Sequence, residues 1–208
     1  MTQPVRGKFI TLEGMDGAGK SSHLGTIQAV LRARGVSAIF TREPGGTELG
    51  EQLRGLILRE KMSLAAETLL IFAARAEHIE RIIEPALRTG TYVVSDRFTD
   101  ATYAYQGSGR GLGAASVAAL EQWVQHGLQP DLTLLFDVPV DTGLARRRQA
   151  SLQPDRFEQE DRDFFDRVRR GYAERANAEP QRIRVIDGAR TPEEVKGAVE
   201  WAIEQLFK

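Results

Sequence analysis

The sequence contains no cysteine among its 208 residues, and this absence excludes several kinds of chemistry. Disulfide bridges, thiol nucleophiles and cysteine-ligated zinc all require a cysteine side chain. Only three histidines are present, at scattered positions, which disfavours a metal site built from histidine alone. A compact chain of this length buries roughly 70% of the surface that its unfolded form exposes, so we expect the hydrophobic core to stabilise the fold without such cross-links.

Long apolar runs and a dominant charge are also missing. Nowhere do about 18 apolar residues follow one another, so the sequence predicts no transmembrane helix. Residues 1–8 lead into only a short apolar segment, unlike a secretory signal peptide. The 28 Lys and Arg residues nearly balance the 29 Asp and Glu residues, which argues against a protein that coats nucleic acid. We therefore expect a cytoplasmic protein with no nucleic-acid partner and no membrane partner.

Short apolar runs alternate with longer segments of helical periodicity, which is the pattern of an α/β protein. The predicted strands are residues 9–12, 38–40, 92–94, 132–138 and 183–186. The predicted helices are residues 20–34, 48–59, 64–88, 113–127, 141–149, 159–176 and 192–207. Nearly apolar strands separated by helices indicate a parallel sheet that is covered on both faces. Since no Ser/Pro-rich linker or internal repeat divides the chain, we expect a single domain over residues 1–208.

The strongest motif is the stretch 14–21, a full match to the pattern G-x-x-x-x-G-K-[ST]. It follows the first predicted strand and opens the first predicted helix, as a phosphate-binding P-loop does. Glycines allow successive backbone N–H groups to point at a phosphate, and the helix N-terminus adds positive potential. We expect Lys20 to reach the β- and γ-phosphates of ATP and the Ser21 hydroxyl to bind Mg²⁺. The predicted ATP-binding residues are Gly14, Met15, Asp16, Gly17, Ala18, Gly19, Lys20 and Ser21.

A P-loop does not identify the second substrate, because GTPases, motor ATPases and small-molecule kinases share it. The sequence lacks the Asn-Lys-x-Asp motif usual in guanine-specific switches and the Leu-Ser-Gly-Gly-Gln signature of transporters. Asp96 and Arg97 follow the strand at 92–94, at the sheet edge where α/β proteins bind ligands. Asp96 could hold Mg²⁺ through its water shell, and Arg97 could bridge the donor and acceptor phosphates. The alternative interpretation is a surface ion pair at the end of a strand.

Three further segments could contact an acceptor. Residues 41–47 contain a proline and paired glycines, which fix an irregular loop that could form a pocket wall. Phe72 and Arg75 lie one helical turn apart, and an aromatic ring beside a guanidinium suits a flat heterocycle, although such a phenylalanine is more commonly part of the core. Residues 103–106 precede the glycine-rich stretch 107–111, which is typical of a mobile loop or a second anion contact.

Taken together, these segments resemble the thymidylate kinases, which transfer the γ-phosphoryl group of ATP to dTMP. The resemblance extends over nearly the whole chain and rests on the P-loop with Asp16 inside it and on residues 42–47, 72–75, 95–98, 104–107, 155–158 and 185–187. It implies a P-loop NTPase fold, in which three α/β/α layers surround a five-stranded parallel sheet, as in the nucleoside monophosphate kinases. It also implies a homodimer.

The resemblance implies which residues would bind the base of dTMP. Phe72 would stack on the thymine ring, and Arg75 would bond to its O4 atom. Thr102 would lie near the polar edge of the base, and Pro44 would form a wall of its pocket.

It also implies the contacts of the sugar and the phosphate. Asp16 would hold the 3′-hydroxyl, since a carboxylate is an acceptor suited to a sugar donor. Arg97 and Arg54 would clamp the monophosphate. Tyr105 and Gln106 would line the sugar side, where crowding at C2′ would favour deoxyribose.

Arginines flank a predicted lid at about residues 146–158. Three consecutive arginines begin at Arg146. On sequence alone, they could equally form a solvated helix face, where their charges complement the helix dipole. In some thymidylate kinases a P-loop arginine stabilises the transition state, but here that position is Gly17. The sequence is similar to the bacterial type, in which the lid supplies the cation, from Arg148 or Arg156. Arg146 could instead stack on adenine.

One position departs from the family pattern. A serine is usual five residues after the Asp96 position, and this chain has Ala101, although Thr102 beside it could compensate.

The resemblance as a whole implies phosphorylation of dTMP by ATP, with Mg²⁺ as cofactor. The expected catalytic residues are Lys20, Arg97, Arg148 and Arg156. The alternatives are a P-loop kinase for another nucleoside monophosphate and a nucleotide-binding regulator with no acceptor.

Overall fold

A computed structural model describes residues 5–150, 156–157 and 160–208, and its centre is a sheet of five parallel strands flanked by helices. The strands are β1 (Phe9–Glu13), β2 (Ala38–Arg42), β3 (Tyr92–Asp96), β4 (Leu132–Asp137) and β5 (Ile183–Asp187). They lie in the order β2-β3-β1-β4-β5. All five predicted strands are present, and the predicted three-layer α/β/α fold around a five-stranded parallel sheet is confirmed.

Nine α-helices connect or flank these strands in the part of the chain that the structure describes. They are α1 (Leu24–Ala33), α2 (Glu48–Arg59), α3 (Leu64–His78), α4 (Glu84–Arg88), α5 (Thr99–Thr102), α6 (Ala114–Gln125), α7 (Val140–Ala150), α8 (Arg162–Ala178) and α9 (Pro192–Glu204). Within the described ranges, no helix has the length and apolar character that a membrane crossing requires.

The central strands are buried along almost their whole length, whereas the edge strands are not. Every residue of β1 is buried, and so are the first five residues of β4. In contrast, β2 and β5 each expose part of their length, and Val185 of β5 is 57% exposed. Burial on both faces explains why the central strands are nearly continuous apolar runs in the sequence.

The structure differs from the sequence-based expectation most clearly in two segments. The predicted helix at 64–88 contains a π-helical turn at Ile79–Ile83, just before Pro85, which has no N–H for a regular helical bond. For 107–111 the sequence predicted a mobile loop or a second anion contact; the anion contact stays a prediction, but the loop was wrong for the first three residues. They belong to a π-helical segment, Tyr103–Gly109, that packs against α8, so that an added Cβ on Gly109 would meet the Phe164 ring at 2.7 Å.

Strand register brings the three candidate loops to one edge of the sheet. Leu12 of β1 lies opposite Asp96 of β3, and Arg42 of β2 lies opposite the same residue. Two backbone hydrogen bonds continue this pairing beyond the strands: Arg97 N–H donates to Leu12 O (2.9 Å) and Glu43 N–H donates to Asp96 O (2.9 Å). Since parallel strands end at the same edge, the P-loop, the loop after β2 and the Asp96–Arg97 pair adjoin one another.

Candidate active site

Two cavities at this edge of the sheet share one residue, Asp16. The smaller, the acceptor cavity, has a volume of about 240 Å³, and the larger, the P-loop cavity, has a volume of about 1000 Å³. Eight of the nine residues predicted to bind dTMP line the acceptor cavity: Asp16, Pro44, Arg54, Arg75, Arg97, Thr102, Tyr105 and Gln106. The residues from Asp16 to Ser21 line the P-loop cavity together with Asp96. Asp16 is therefore the residue at which the two cavities adjoin.

The P-loop has the left-handed backbone that its glycines permit. Gly14 and Gly17 have φ angles of +126° and +82°, a region that L side chains rarely adopt. An added Cβ on Gly17 would also lie 2.2 Å from the carbonyl oxygen of Gly143, and one on Gly14 would lie 2.3 Å from that of Phe136. The loop is packed too closely to hold a side chain at either position.

Lys20 is folded back over this loop. Its Nζ donates to the carbonyl oxygens of Gly14 (2.9 Å) and Met15 (3.2 Å) and lies 3.6 Å from Asp16 Oδ1. Burial and the positive charge of Arg97 lower the pKa of Lys20, and the negative charge of Asp16 partly offsets them. The ammonium group is therefore held inside the P-loop cavity wall, with its charge only partly compensated.

Arg97 lines the acceptor cavity, and both ends of its guanidinium group make hydrogen bonds. Nη2 donates to Asp16 Oδ1 (2.6 Å) and to Tyr105 Oη (3.2 Å), and Nη1 donates to Gly14 O (3.1 Å) and to Tyr172 Oη (2.9 Å). Burial alone would raise the pKa of Asp16, but the charges of Arg97 and Lys20 hold it well below its usual range. The carboxylate therefore stays ionised as an acceptor.

Arg75 is oriented by a buried ion pair with Glu43. Its Nε donates to Glu43 Oε2 (2.7 Å), its Nη2 donates to Thr102 Oγ1 (3.0 Å), and both charged side chains are at most 2% exposed. His78 Nδ1 lies 2.9 Å from the other Glu43 oxygen. The remaining nitrogen, Nη1, is buried without a hydrogen-bond partner among the described residues, and Arg75 is one of the residues that line the acceptor cavity.

Pro44 and Arg54 form a second wall of the acceptor cavity. Pro44 follows a cis peptide bond, and its carbonyl oxygen accepts a hydrogen bond from Arg54 Nη1 (3.0 Å). Burial, followed by the positive charge of Arg42, lowers the pKa of Arg54. Ala101 and Thr102 also line this cavity, and the Thr102 hydroxyl is engaged by Arg75.

Phe72 is the one predicted dTMP-site residue that does not line this cavity within the described ranges. It is 2% exposed and packs in a cluster with Tyr103 and Val117. Its ring centroid lies 4.7 Å from the Arg75 guanidinium carbon, so it contacts the site through that side chain. Ile71, its neighbour on α3, lines the cavity instead.

The predicted Mg²⁺ ligands, Ser21 and Asp96, both line the P-loop cavity. Asp96 Oδ1 is buried and has no hydrogen-bond partner among the described residues, a state that a buried carboxylate oxygen rarely keeps without a ligand or water. Mg²⁺ in kinases is bound by one or two protein oxygens together with substrate phosphates. The residues present therefore fit such an ion.

The three arginines of α7 differ in their surroundings. Arg146 and Arg147 line the P-loop cavity, and Arg146 Nη1 donates to Gly188 O at 2.9 Å. Arg147 also lies over the ring of Phe165, at 4.7 Å. Arg148 is exposed on α7 and lines neither cavity.

Arg156 is held at the acceptor side. Its Nη2 lies 2.7 Å from Glu67 Oε2 and donates to Ile57 O (2.9 Å), whereas Phe157 beside it lines the acceptor cavity. Residues 151–155 and 158–159 of the predicted lid lie outside the described residues.

Sequence reasoning assigned no role to three buried acids that hold this site. Glu43 bonds to Arg75, Glu67 pairs with Arg110 and Arg156, and Glu13 accepts from Phe98 N–H (2.7 Å). The only local signal was an acid inside an otherwise apolar stretch, such as Glu13 after 9–12 or Glu67 within α3. Charged residues are rarely fully buried unless paired, so such acids mark candidate partners for buried arginines.

Comparisons with a family model and with known proteins all point to the same family. A family model described as thymidylate kinase matches residues 12–199. The thymidylate kinase of Methylobacillus flagellatus is 60% identical over 195 residues, which cover 94% of this chain and 96% of that protein. The thymidylate kinase of Cupriavidus metallidurans is 59% identical over 202 residues, 97% of this chain and 100% of that protein. That of Bordetella pertussis is 56% identical over 201 residues, 97% of this chain and 96% of that protein. The residues matched by the family model include all those that line the two cavities.

Proposed function

This chain belongs to the thymidylate kinase family, and we propose that it transfers the γ-phosphoryl group of ATP to dTMP, giving dTDP and ADP for dTTP synthesis. One observation carries the proposal: Asp16 lines both the P-loop cavity and the acceptor cavity, and Arg97 contacts it at 2.6 Å. A triphosphate in the first cavity and a monophosphate in the second would meet beside these two side chains.

The base of dTMP binds between α3 and α5 in this proposal. Arg75 lines the cavity, and its Nη1 has no hydrogen-bond partner among the described residues, so that N–H suits the O4 of thymine. Thr102 lies at the polar edge of the base, and Pro44 forms the opposite wall. Phe72 supports the base through its contact with Arg75, in addition to the stacking that the family resemblance implies.

The sugar and the phosphate bind nearer the P-loop. The ionised Asp16 accepts from the 3′-hydroxyl, while Tyr105 and Gln106 line the sugar side of the cavity. Arg97 and Arg54 clamp the monophosphate, because a planar guanidinium matches phosphate oxygens with two parallel hydrogen bonds.

The reaction is a reversible in-line displacement without a phosphoenzyme. Asp16 positions the acceptor through its sugar, whereas Arg97 and Lys20 position the two anions and reduce their repulsion, which is most of what phosphoryl transfer requires of a protein. Arg148 or Arg156 supplies a cation to the equatorial oxygens when the lid at about residues 146–158 closes and excludes water. Arg146, in the wall of the P-loop cavity, stacks on adenine.

Mg²⁺ is the proposed cofactor, held by the Ser21 hydroxyl and by Asp96 through water. When bound, the ion neutralises charge on the β- and γ-phosphates. The unpartnered Oδ1 of Asp96 supports this assignment.

Residues 1–208 are proposed to form one domain and to associate as a homodimer in the cytoplasm, where ATP and dTMP are found. Leu69 and Trp123 support the dimer: they are 52% and 71% exposed and line one surface groove formed by α3 and α6. Sedimentation analysis should find a dimer that Trp123→Glu dissociates. The control Trp201→Glu, at an exposed tryptophan of α9, should remain dimeric.

The function is tested by a coupled assay of ADP release with and without dTMP. We expect release to depend on dTMP, and a panel of nucleoside monophosphates to give the highest kcat/KM for dTMP. A higher value for another monophosphate would favour a kinase for that acceptor. Release that does not depend on any acceptor would favour a nucleotide-binding regulator.

A further inference from the structure

We propose that Glu13 and Tyr172 are positioning residues for Arg97, in that they fix its backbone and its guanidinium group toward the acceptor phosphate. This inference rests on the proposed function, since it concerns the orientation of a phosphate-binding side chain. Neither residue lines the acceptor cavity within the described ranges, so both act through Arg97.

Glu13 holds two different groups with its two carboxylate oxygens. It is the last residue of β1 and is fully buried. Oε1 accepts from the backbone N–H of Phe98 (2.7 Å), and Oε2 accepts from the hydroxyl of Tyr172 (2.9 Å). One carboxyl group thus links the backbone directly after Arg97 to the side chain that contacts the Arg97 guanidinium.

The backbone at Arg97 needs such support. Its φ angle is +72°, in the left-handed region that a residue with a Cβ adopts only when its surroundings enforce it. Arg97 N–H donates to Leu12 O (2.9 Å), and its carbonyl oxygen accepts from Ser95 Oγ (2.7 Å). The Phe98–Glu13 bond is the next one along the chain, and it completes the restraint on this turn.

The guanidinium is restrained from the other side by Tyr172. The Tyr172 hydroxyl, on α8, accepts from Arg97 Nη1 (2.9 Å) while it donates to Glu13 (2.9 Å). The Tyr172 proton lies toward Glu13, so a lone pair of the same hydroxyl faces Arg97. Without Tyr172 Oη, Nη1 would keep only the Gly14 carbonyl at 3.1 Å.

Such restraint should affect catalysis more than stability. A phosphate-binding arginine that is already oriented loses little rotational freedom when the acceptor binds and when the phosphoryl group moves. Removal of one hydrogen bond to a charged group commonly corresponds to roughly a tenfold change in an equilibrium constant. We therefore expect Tyr172→Phe and Glu13→Gln each to lower kcat/KM for dTMP roughly tenfold.

Steady-state kinetics on the full chain test the proposal. Tyr172→Phe keeps the buried ring, and Glu13→Gln keeps an oxygen for Phe98 N–H. Each single variant should raise the KM for dTMP or lower kcat, while the KM for ATP stays within about twofold. The double variant should lose no more kcat/KM for dTMP than the single variants do, because both residues act through Arg97. Tyr103→Phe is the control, since the Tyr103 hydroxyl donates to Glu121 and lines neither cavity.

Three results would overturn the inference. The first is dTMP kinetics in Tyr172→Phe equal to those of the parent. The second is an equal loss for ATP and for dTMP, which a general structural role predicts. The third is the same Tyr172→Phe effect in an Arg97→Ala background as in the parent. A parent chain that does not phosphorylate dTMP would instead contradict the proposed function, so the two failures are distinguishable.

Discussion

The Nη2 atom of Arg97 lies 2.6 Å from Oδ1 of Asp16, and this contact joins the two cavities. Asp16 belongs to the loop after β1 and Arg97 to the turn after β3, and the parallel pairing of these strands brings them together. The carboxylate compensates an arginine that is largely buried, yet it remains 39% exposed and accessible to a ligand.

Substitution of Asp16 should impair acceptor binding. Asp16→Asn keeps the shape but removes the charge that faces Arg97, so we expect the KM for dTMP to rise by roughly tenfold or more, since a hydrogen bond to a charged group is lost. Kinetics with varied dTMP at saturating ATP measure this. Glu204→Gln, which removes the acid of an exposed pair with Arg34, should leave the KM unchanged. Equal KM values for Asp16→Asn and the parent would contradict the assignment.

Phe72 should affect both stability and the acceptor site. Phe72→Ala removes a buried ring, which typically lowers the free energy of unfolding by about 3–5 kcal/mol, and it also removes the contact with Arg75. We expect the KM for dTMP to rise, with Phe72→Leu as the milder variant. Val117→Ala, in the same buried cluster, should lower the melting temperature and leave the KM unchanged. Unchanged dTMP kinetics in Phe72→Ala would remove this residue from the base site.

The two candidate lid arginines should be separable by stability. Arg148→Ala or Arg156→Ala should lower kcat by orders of magnitude while dTMP still binds, as measured by turnover and by direct titration. Arg156→Ala should also lower the melting temperature, because it deprives the buried Glu67 of a partner, whereas exposed Arg148 has no such effect. Arg59→Ala, an exposed arginine of α2, is the control. The lid-cation hypothesis is wrong if neither variant slows turnover.

The P-loop should tolerate a methyl group differently at two glycines. Gly17 and Gly19 both have positive φ. An added Cβ on Gly17 would lie 2.2 Å from a backbone oxygen, whereas one on Gly19 would have no neighbouring atom within 4 Å. Thermal unfolding without nucleotide should show a loss of about 1–2 kcal/mol for Gly19→Ala, from backbone strain alone. Gly17→Ala should lose more, because the Gly143 backbone must move. Equal losses would contradict the packing described for Gly17.

Glu13 should give the folded protein a pH-dependent stability. Burial, followed by the charge of Asp100, raises the pKa of Glu13 from 4.5 to about 8, although Arg97, Phe98 N–H and Tyr172 act in the opposite direction. Between these values the folded state binds more protons than the unfolded state, so this group's contribution to the free energy of unfolding falls as the pH rises. Urea unfolding should show that the free energy of unfolding of the parent falls, relative to that of Glu13→Gln, as the pH rises from 5 to 8. A constant difference between the two would exclude the raised pKa.

Much of the architecture could be predicted from local spacing. The five strands and the P-loop are contiguous patterns, and a strand that is buried on both faces requires a continuous apolar run. Eight of the nine residues expected at the dTMP site line one cavity, because their motifs follow strands that end at the same sheet edge or lie on the helices beside it. Their roles remain predictions until the variants above are measured.

The sequence by itself determined where a phosphate loop, five strands and most of their helices occur, because these depend on neighbouring residues. Only the tertiary structure decided the partners of the buried charges. Glu13 and Tyr172 are 159 positions apart, Arg75 and Glu43 are 32 apart, and no local pattern links either pair. It also packed the segment from Tyr103 to Gly109 against α8, although composition suggested a loop or a second anion contact at 107–111. Composition describes what a segment prefers alone, whereas burial depends on which distant surface packs against it.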